Sequence, residues 1–274
     1  MSFPDLVIWA GPVNGTQVPG ATVPGAVQKF FPCTGDGKPP APKCGNLATL
    51  SGGRVLPGIL ARLNLSEASV GNIYLGAFSA GGHLWKRLLM SQEDRARITG
   101  VMLHDAAYEA SPSTNPQPVQ GFVEFGVDAS KDPSKFLLMT ASVGQNPSVE
   151  QPGVVYQSGA ETMRATIAAI NQRTGGDIQE AGTLADGLPT PTRLWTGGKN
   201  MVFAQYDNVG HNAQAGMAPV FWKNLLQPWI ARSDESFFGT YGGLVAIFGV
   251  SVGVGWYLKK RLKNNELADR STRT

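Results

Sequence analysis

Three residue types at three places in this chain could together perform acyl chemistry: a serine framed by small residues, a histidine in a glycine-containing stretch and an aspartate at a strand end. The serine is Ser79, within Asn72-Ile-Tyr-Leu-Gly-Ala-Phe-Ser-Ala-Gly-Gly-His83. A buried strand running through a tight turn into a helix would place its hydroxyl at a helix N-terminus. Free backbone N–H groups and the helix dipole can stabilise an oxyanion there. Such a turn needs small residues two before and two after the serine; Ala77 and Gly81 meet the requirement, and Gly82 loosens the turn further. Thr140-Ala-Ser142-Val-Gly144 fits the same pattern, but Gln-Asn-Pro follows it and cannot begin a helix promptly. After Ser79, by contrast, Leu84, Leu88 and Leu89 recur at helical spacing. The bland alternative is that Ser79 only caps that helix.

A nucleophilic serine needs a base, and the chain has three histidines, His83, His104 and His211. His211 is the best placed. It lies in Asp207-Asn-Val-Gly-His-Asn212, after the apolar run Met201 to Tyr206 and before a helical stretch from about Met217 to Ile230. Functional groups of α/β sheets sit at such strand ends. His83, one turn along the helix after Ser79, reads as structural or supporting, and His104, inside the strand Ile98 to His104, reads as packed or locally bonded. The acid that would orient His211 is assigned to Asp105, which ends the strand after the Ser79 helix and so emerges at the same sheet edge. Glu150 and Asp207 are its rivals, Asp207 being the better turn residue.

Around these residues, apolar strand-like runs alternate with helical patterns. Strands are expected at Leu6 to Ala10, Asn72 to Phe78, Ile98 to Asp105, Phe136 to Ser142 and Met201 to Asp207, with helices near Val55 to Leu63 and Glu161 to Arg173. This alternation predicts an α/β domain with a mostly parallel sheet sandwiched between helices. A chain of 274 residues with 42% hydrophobic content is sufficient for one such core. No repeat, zinc-ligand cluster or phosphate-loop motif appears, so no cofactor or metal is expected.

The Ser, Asp, His order and the strand-turn-helix string Phe78-Ser-Ala-Gly-Gly-His83 resemble the α/β-hydrolase superfamily, in particular its esterase, lipase and depolymerase-like branches, over roughly Leu6 to Ile230. The resemblance implies a core of about five or six strands here, an acyl-enzyme mechanism and a triad of Ser79, Asp105 and His211. Two departures stand out: Ala77 occupies a position where that family usually has glycine, and the acid follows the first strand after the serine instead of a later one. By the same analogy Ala80 supplies one oxyanion N–H. The second would come from Gly11, Val13 or Asn14 in the loop after the first strand, since Pro12 has no N–H. Val13 is the residue assigned.

Residues 12–53 interrupt the alternation. They are rich in Gly and Pro, carry both cysteines and are read as a lid or rim loop, with Phe30 and Phe31 beside Cys33. Cys33 and Cys44 either form a short-range disulfide or stand as free thiols. A second Pro-rich stretch, Ala110 to Pro118, would add to the rim.

The chain's other strong feature is Phe237 to Leu258, 22 positions without a charge, closed by Lys259-Lys-Arg261. About 20 apolar residues span a bilayer as a helix, and Phe237, Phe238 and Tyr241 at one end with Trp256 and Tyr257 at the other suit its two interfaces. The expected organisation is thus a hydrolase-like domain over 1–232, a single C-terminal transmembrane helix over 237–258 and a basic polar tail over 259–274. Gly242, Ala246, Gly249 and Gly253 share one helical face that would permit self-association. The tail holds a local charge of +4 against +3 for the whole chain, leaving the rest near −1; nucleic-acid binding is therefore not indicated. The sidedness signals conflict. A basic flank favours the hydrolase domain outside, as does the cysteine pair, while an N-terminus without a signal segment favours the cytoplasm; a virion or other particle membrane is a third setting.

The leading expectation is a membrane-anchored serine hydrolase cleaving carboxylic esters of a lipid or other hydrophobic acyl group. The alternative is a catalytically inactive binding or structural module of the same fold, tethered to a membrane.

Overall fold

The computed structural model describes residues 3–11, 26–33, 44, 54–108, 117–144, 146–147, 155–156, 158–184, 187–198 and 200–230. All fall within a compact unit, Met1–Ala231. In chain order the strands and helices are β1 (Asp5–Gly11), β2 (Ala26–Pro32), α1 (Leu56–Arg62), β3 (Ile73–Phe78), α2 (Gly82–Leu88), α3 (Gln92–Ala96), β4 (Ile98–His104), α4 (Gln120–Lys131) and β5 (Phe136–Ser142). There follow a two-residue pair, β6 (Asn146–Pro147) and β7 (Val155–Tyr156), then α5 (Gly159–Thr174), β8 (Ile178–Ala181), β9 (Arg193–Gly197), β10 (Met201–Tyr206), α6 (His211–Phe221) and α7 (Gln227–Ile230).

Among the described residues eight strands form the main sheet, in the order β2-β1-β3-β4-β5-β10-β9-β8. Its neighbours from β2 to β10 pair in parallel, and β9 runs antiparallel to both β10 and β8. The mostly parallel α/β sheet is therefore as expected, but larger than the five or six strands foreseen. One addition is β2, inside the stretch read as a lid or rim loop. Its sequence, Ala-Val-Gln-Lys-Phe-Phe-Pro, is short and breaks apolar continuity at Gln28 and Lys29. An edge strand with one partner tolerates that composition, and a terminal proline too. The other additions, β8 and β9, are short and partly exposed, so they lack the apolar run that marks a buried strand.

Alternation along the strands divides the core in two. Leu6, Ile8 and Ala10 of β1 share one cluster with Leu75 and Ala77 of β3, Val101 and Leu103 of β4, and Leu137 and Met139 of β5; helices α1, α2, α4 and α5 cover it. The opposite face carries Trp9, Tyr74 and His104, against which the C-terminal helices lay Phe221, Trp222 and Trp229. Trp9 fits because the sheet has no side chain at Gly76, where an added Cβ would lie 2.2 Å from the indole. On the other face Trp85 is fully buried and donates its Nε1–H to the Gly76 carbonyl at 2.7 Å. A tryptophan buried this way removes on the order of 200 Å² from water, worth about 5 kcal/mol in transfer terms.

Helix α1 begins without a capping side chain of its own. The fully buried Asp94 of α3 substitutes, accepting from Val55 N at 2.6 Å and Leu56 N at 3.2 Å, and Arg54 neutralises it at 2.8 Å. In α6, Pro219 has no N–H to give the helix ladder, and the next turn, Trp222–Leu226, widens to π geometry before α7.

Among the described residues no helix is long and apolar enough to cross a membrane. The run 237–258 and the tail 259–274 lie outside them, as do Pro12, Val13, Asn14, Glu150 and all but the last two residues of the second rim segment.

Candidate active site

The parallel register carries β3 and β4 to the same edge of the sheet, Phe78 opposite His104, so that the residues following each strand meet above that edge. Ser79 follows β3 directly. Its backbone φ is +53°, a left-handed conformation that a serine adopts at a strain of about 1–2 kcal/mol. The next turn, Ser79–Gly81, is a single 3-10 turn leading into α2. The small residues after the serine are demanded from both sides: a Cβ at Gly81 would sit 2.1 Å from the Ala10 carbonyl oxygen of β1, and one at Gly82 would sit 1.7 Å from the Ala106 carbonyl oxygen. Gly82 does not loosen the turn; it lets the chain leaving β4 pass against it.

Asp105, the first residue after β4, also has a positive φ, +44°. Its carboxylate is wholly buried and is held at both oxygens, Ser142 N donating to Oδ1 at 3.1 Å and Ser142 Oγ donating to Oδ2. The Asp105 amide donates to the Thr140 carbonyl at 2.8 Å. Gly159, the first residue of α5, lies so close that an added Cβ would be 2.1 Å from Asp105 Oδ1, and the positive end of a 16-residue helix thereby abuts the anion.

His211 completes the set. Its Nε2 lies 2.9 Å from Ser79 Oγ and its Nδ1 lies 2.9 Å from Asp105 Oδ2. The residue is the first of α6 and not part of the preceding loop, as the sequence suggested; Gly210 caps the helix with extended backbone. Phe78 fixes the ring's tilt by stacking on it, centroids 4.8 Å apart and planes 24° apart. This geometry selects a tautomer. With Nδ1–H donated to the buried carboxylate, Nε2 presents a lone pair to the Ser79 hydroxyl and can take its proton.

The sheet, the strand-turn-helix at Ser79 and the chain order Ser79, Asp105, His211 form one arrangement. The fold is α/β, a mostly parallel sheet between helices, with the three residues gathered at one of its edges. No protein-family model matches the chain, and no curated protein does. Among solved structures it is similar to LpqC, a poly(3-hydroxybutyrate) depolymerase from Bordetella parapertussis, with 16% identity over 81% of each chain and a TM-score of 0.41.

The remaining sequence assignments divide. Asp207 is a turn residue, as its composition implied: its amide donates to Thr192 Oγ1 at 3.0 Å and its carboxylate accepts from Gln205 Nε2 at 2.6 Å. His104 is packed and locally bonded, with Nδ1 3.1 Å from Thr140 Oγ1, and complete burial pushes its pKa down to about 3. Since the Thr140 hydroxyl donates to Gln214 Oε1 at 2.7 Å, it accepts from His104 Nδ1–H. The chain His104, Thr140, Gln214 ties β4 and β5 to α6 beneath the site. Ser142, the rival nucleophile, serves the acid instead.

Ala80, expected from the sequence as an oxyanion donor, follows Ser79 in the first turn, where backbone N–H groups have no intrahelical partner. Gly11 is not a second donor. Its carbonyl accepts from Cys33 N at 3.1 Å and it stands opposite Pro32, and in a parallel ladder a residue bonds one neighbour with both its groups, so its N–H also faces β2. Cys33 and Cys44 form a disulfide. Among the described residues no cluster of three or more His, Cys, Asp or Glu side chains could hold a metal ion.

Two contacts had no signal in the sequence. Gly159 is 54 residues from the acid it abuts, at a helix start that the Ser158 and Glu161 capping pair marks but whose direction only the fold reveals. Tyr108, three residues past Asp105, brings its hydroxyl within 2.8 Å of His211 Nδ1.

Proposed function

We propose that this chain is a membrane-anchored serine hydrolase that cleaves carboxylic esters of a lipid or other hydrophobic acyl group. The supporting observation is the unbroken hydrogen-bonded path from Ser79 Oγ through His211 to the buried Asp105 carboxylate. Ser79 Oγ attacks the acyl carbonyl as its proton passes to His211 Nε2, and the oxyanion so formed accepts from the Ala80 N–H. Collapse expels the alcohol, which takes the proton from Nε2–H and leaves the acyl group on Ser79. Water, deprotonated by the same nitrogen, then releases the acid. The triad is common to ester, amide and acyl-transfer chemistry; the hydrophobic acyl substrate is inferred from the proximity to a lipid surface that an anchor at 237–258 would impose.

Covalent labelling of the full chain in detergent with a fluorophosphonate tests the chemistry. Wild type labels, and Ser79→Ala and His211→Ala do not. Failure of folded wild type to label returns the protein to the tethered binding-module reading.

A further inference from the structure

The catalytic imidazole has two oxygen neighbours at the same nitrogen. Asp105 Oδ2 lies 2.9 Å and Tyr108 Oη 2.8 Å from His211 Nδ1, and the phenol and imidazole rings meet edge to face with centroids 5.8 Å apart. In the serine-hydrolase reading, on which this inference rests, Nε2 must offer a lone pair to Ser79. The proton is then on Nδ1, and a single N–H faces both oxygens. Tyr108 is 5% exposed, so its hydroxyl is set by the packing of the segment leaving β4 and does not reach the imidazole from solvent.

We propose that Tyr108 is a positioning residue of the triad, its hydroxyl oxygen sharing the His211 Nδ1–H with Asp105. Acylation moves the Ser79 proton to Nε2 and makes the ring an imidazolium. Its Nδ1–H then becomes a stronger donor, and two acceptors stabilise the cation where one would serve less well. The phenol also blocks rotation of the ring about its Cβ–Cγ bond, since turning Nδ1 away from Asp105 breaks both contacts at once. Phe78 holds the ring's face and Tyr108 its edge.

The test is fluorophosphonate inactivation of the full chain in detergent, in which Ser79 Oγ bonds to phosphorus, the P–F bond breaks and fluoride departs while the hydroxyl proton goes to His211 Nε2. Tyr108→Phe keeps the buried ring and removes the oxygen. Its maximal inactivation rate constant falls about fivefold, the margin by which a charge-assisted hydrogen bond exceeds a neutral one, while the probe concentration giving half that rate is unchanged. The Nδ1–H proton resonance of His211 moves between the two proteins because one acceptor has gone. Equal rate constants and an unmoved resonance overturn the proposal while leaving the hydrolase reading intact; a faster variant also overturns it, showing competition with Asp105 instead of support. Unlabelled wild type overturns both. Should Tyr108→Phe not fold, magnetisation transfer between the His211 Nδ1–H and the Tyr108 ring in wild type decides, and its absence overturns the shared hydrogen bond.

Discussion

Asp105 is the residue on which the proposed site depends most, because it is fully buried and its position is fixed by every group packed around it. Asp105 has the Ser142 amide and hydroxyl, His211 and the start of α5 around it. A buried carboxylate that loses a partner is expensive to keep ionised. Gly159→Ala tests this packing: its methyl would occupy space 2.1 Å from Oδ1, and the carboxylate must shift. A displacement of about 1 Å at a catalytic group costs on the order of 100-fold in rate. The expected result is a Gly159→Ala protein that folds yet labels at least tenfold more slowly, measured as the inactivation rate constant. His104 offers a second residue-level test, through pH and not rate. Its folded pKa, about 3, lies below the unfolded value near 6.5, so the unfolded chain binds the extra proton between those limits. The stabilisation from keeping this ring neutral is complete above pH 6.5 and is lost as pH falls toward 3, at up to about 1.4 kcal/mol per pH unit. Unfolding free energies from denaturant titrations at pH 6.5 and 5.5 should fall by about 1 kcal/mol more in wild type than in His104→Gln.

At the scale of elements, the chemistry was legible where local pattern and position coincide. The small residues around Ser79 announce a tight turn because backbone carbonyls of β1 and of the β4 exit occupy the space where side chains would go. Asp105 could be placed because a strand end beside the nucleophile strand is a topological inference. The chain start of α6 was harder: Gly210 and the absence of a side-chain cap disguise the fact that His211 already has helical backbone. Likewise β2 was hidden, since an edge strand needs one apolar face at most and Gln28 and Lys29 interrupt its short apolar run within a Gly- and Pro-rich stretch. Gly159 and Tyr108 were illegible for a different reason. Their roles come from contacts made across the sheet edge, at sequence separations of 54 and 103 residues, and no local pattern encodes these.

For the whole molecule, the division of labour proposed is a hydrolase unit ending near Ile230 and an anchor at 237–258. The anchor is proposed from a run of 22 uncharged residues followed by a basic cluster. The full chain should remain with the membrane pellet after alkaline carbonate washing, whereas a chain ending at residue 232 should be released; retention of the shortened chain would remove the anchor from the account. Local pattern alone does not single out Ser79, because small-x-Ser-x-small recurs in this chain at Ser51, Ser142 and Ser251. Mapping the fluorophosphonate adduct by peptide mass spectrometry separates them. A single adduct is expected on the peptide containing Ser79, lost in His211→Ala; an adduct on any other serine, or none on folded protein, overturns the assignment of Ser79.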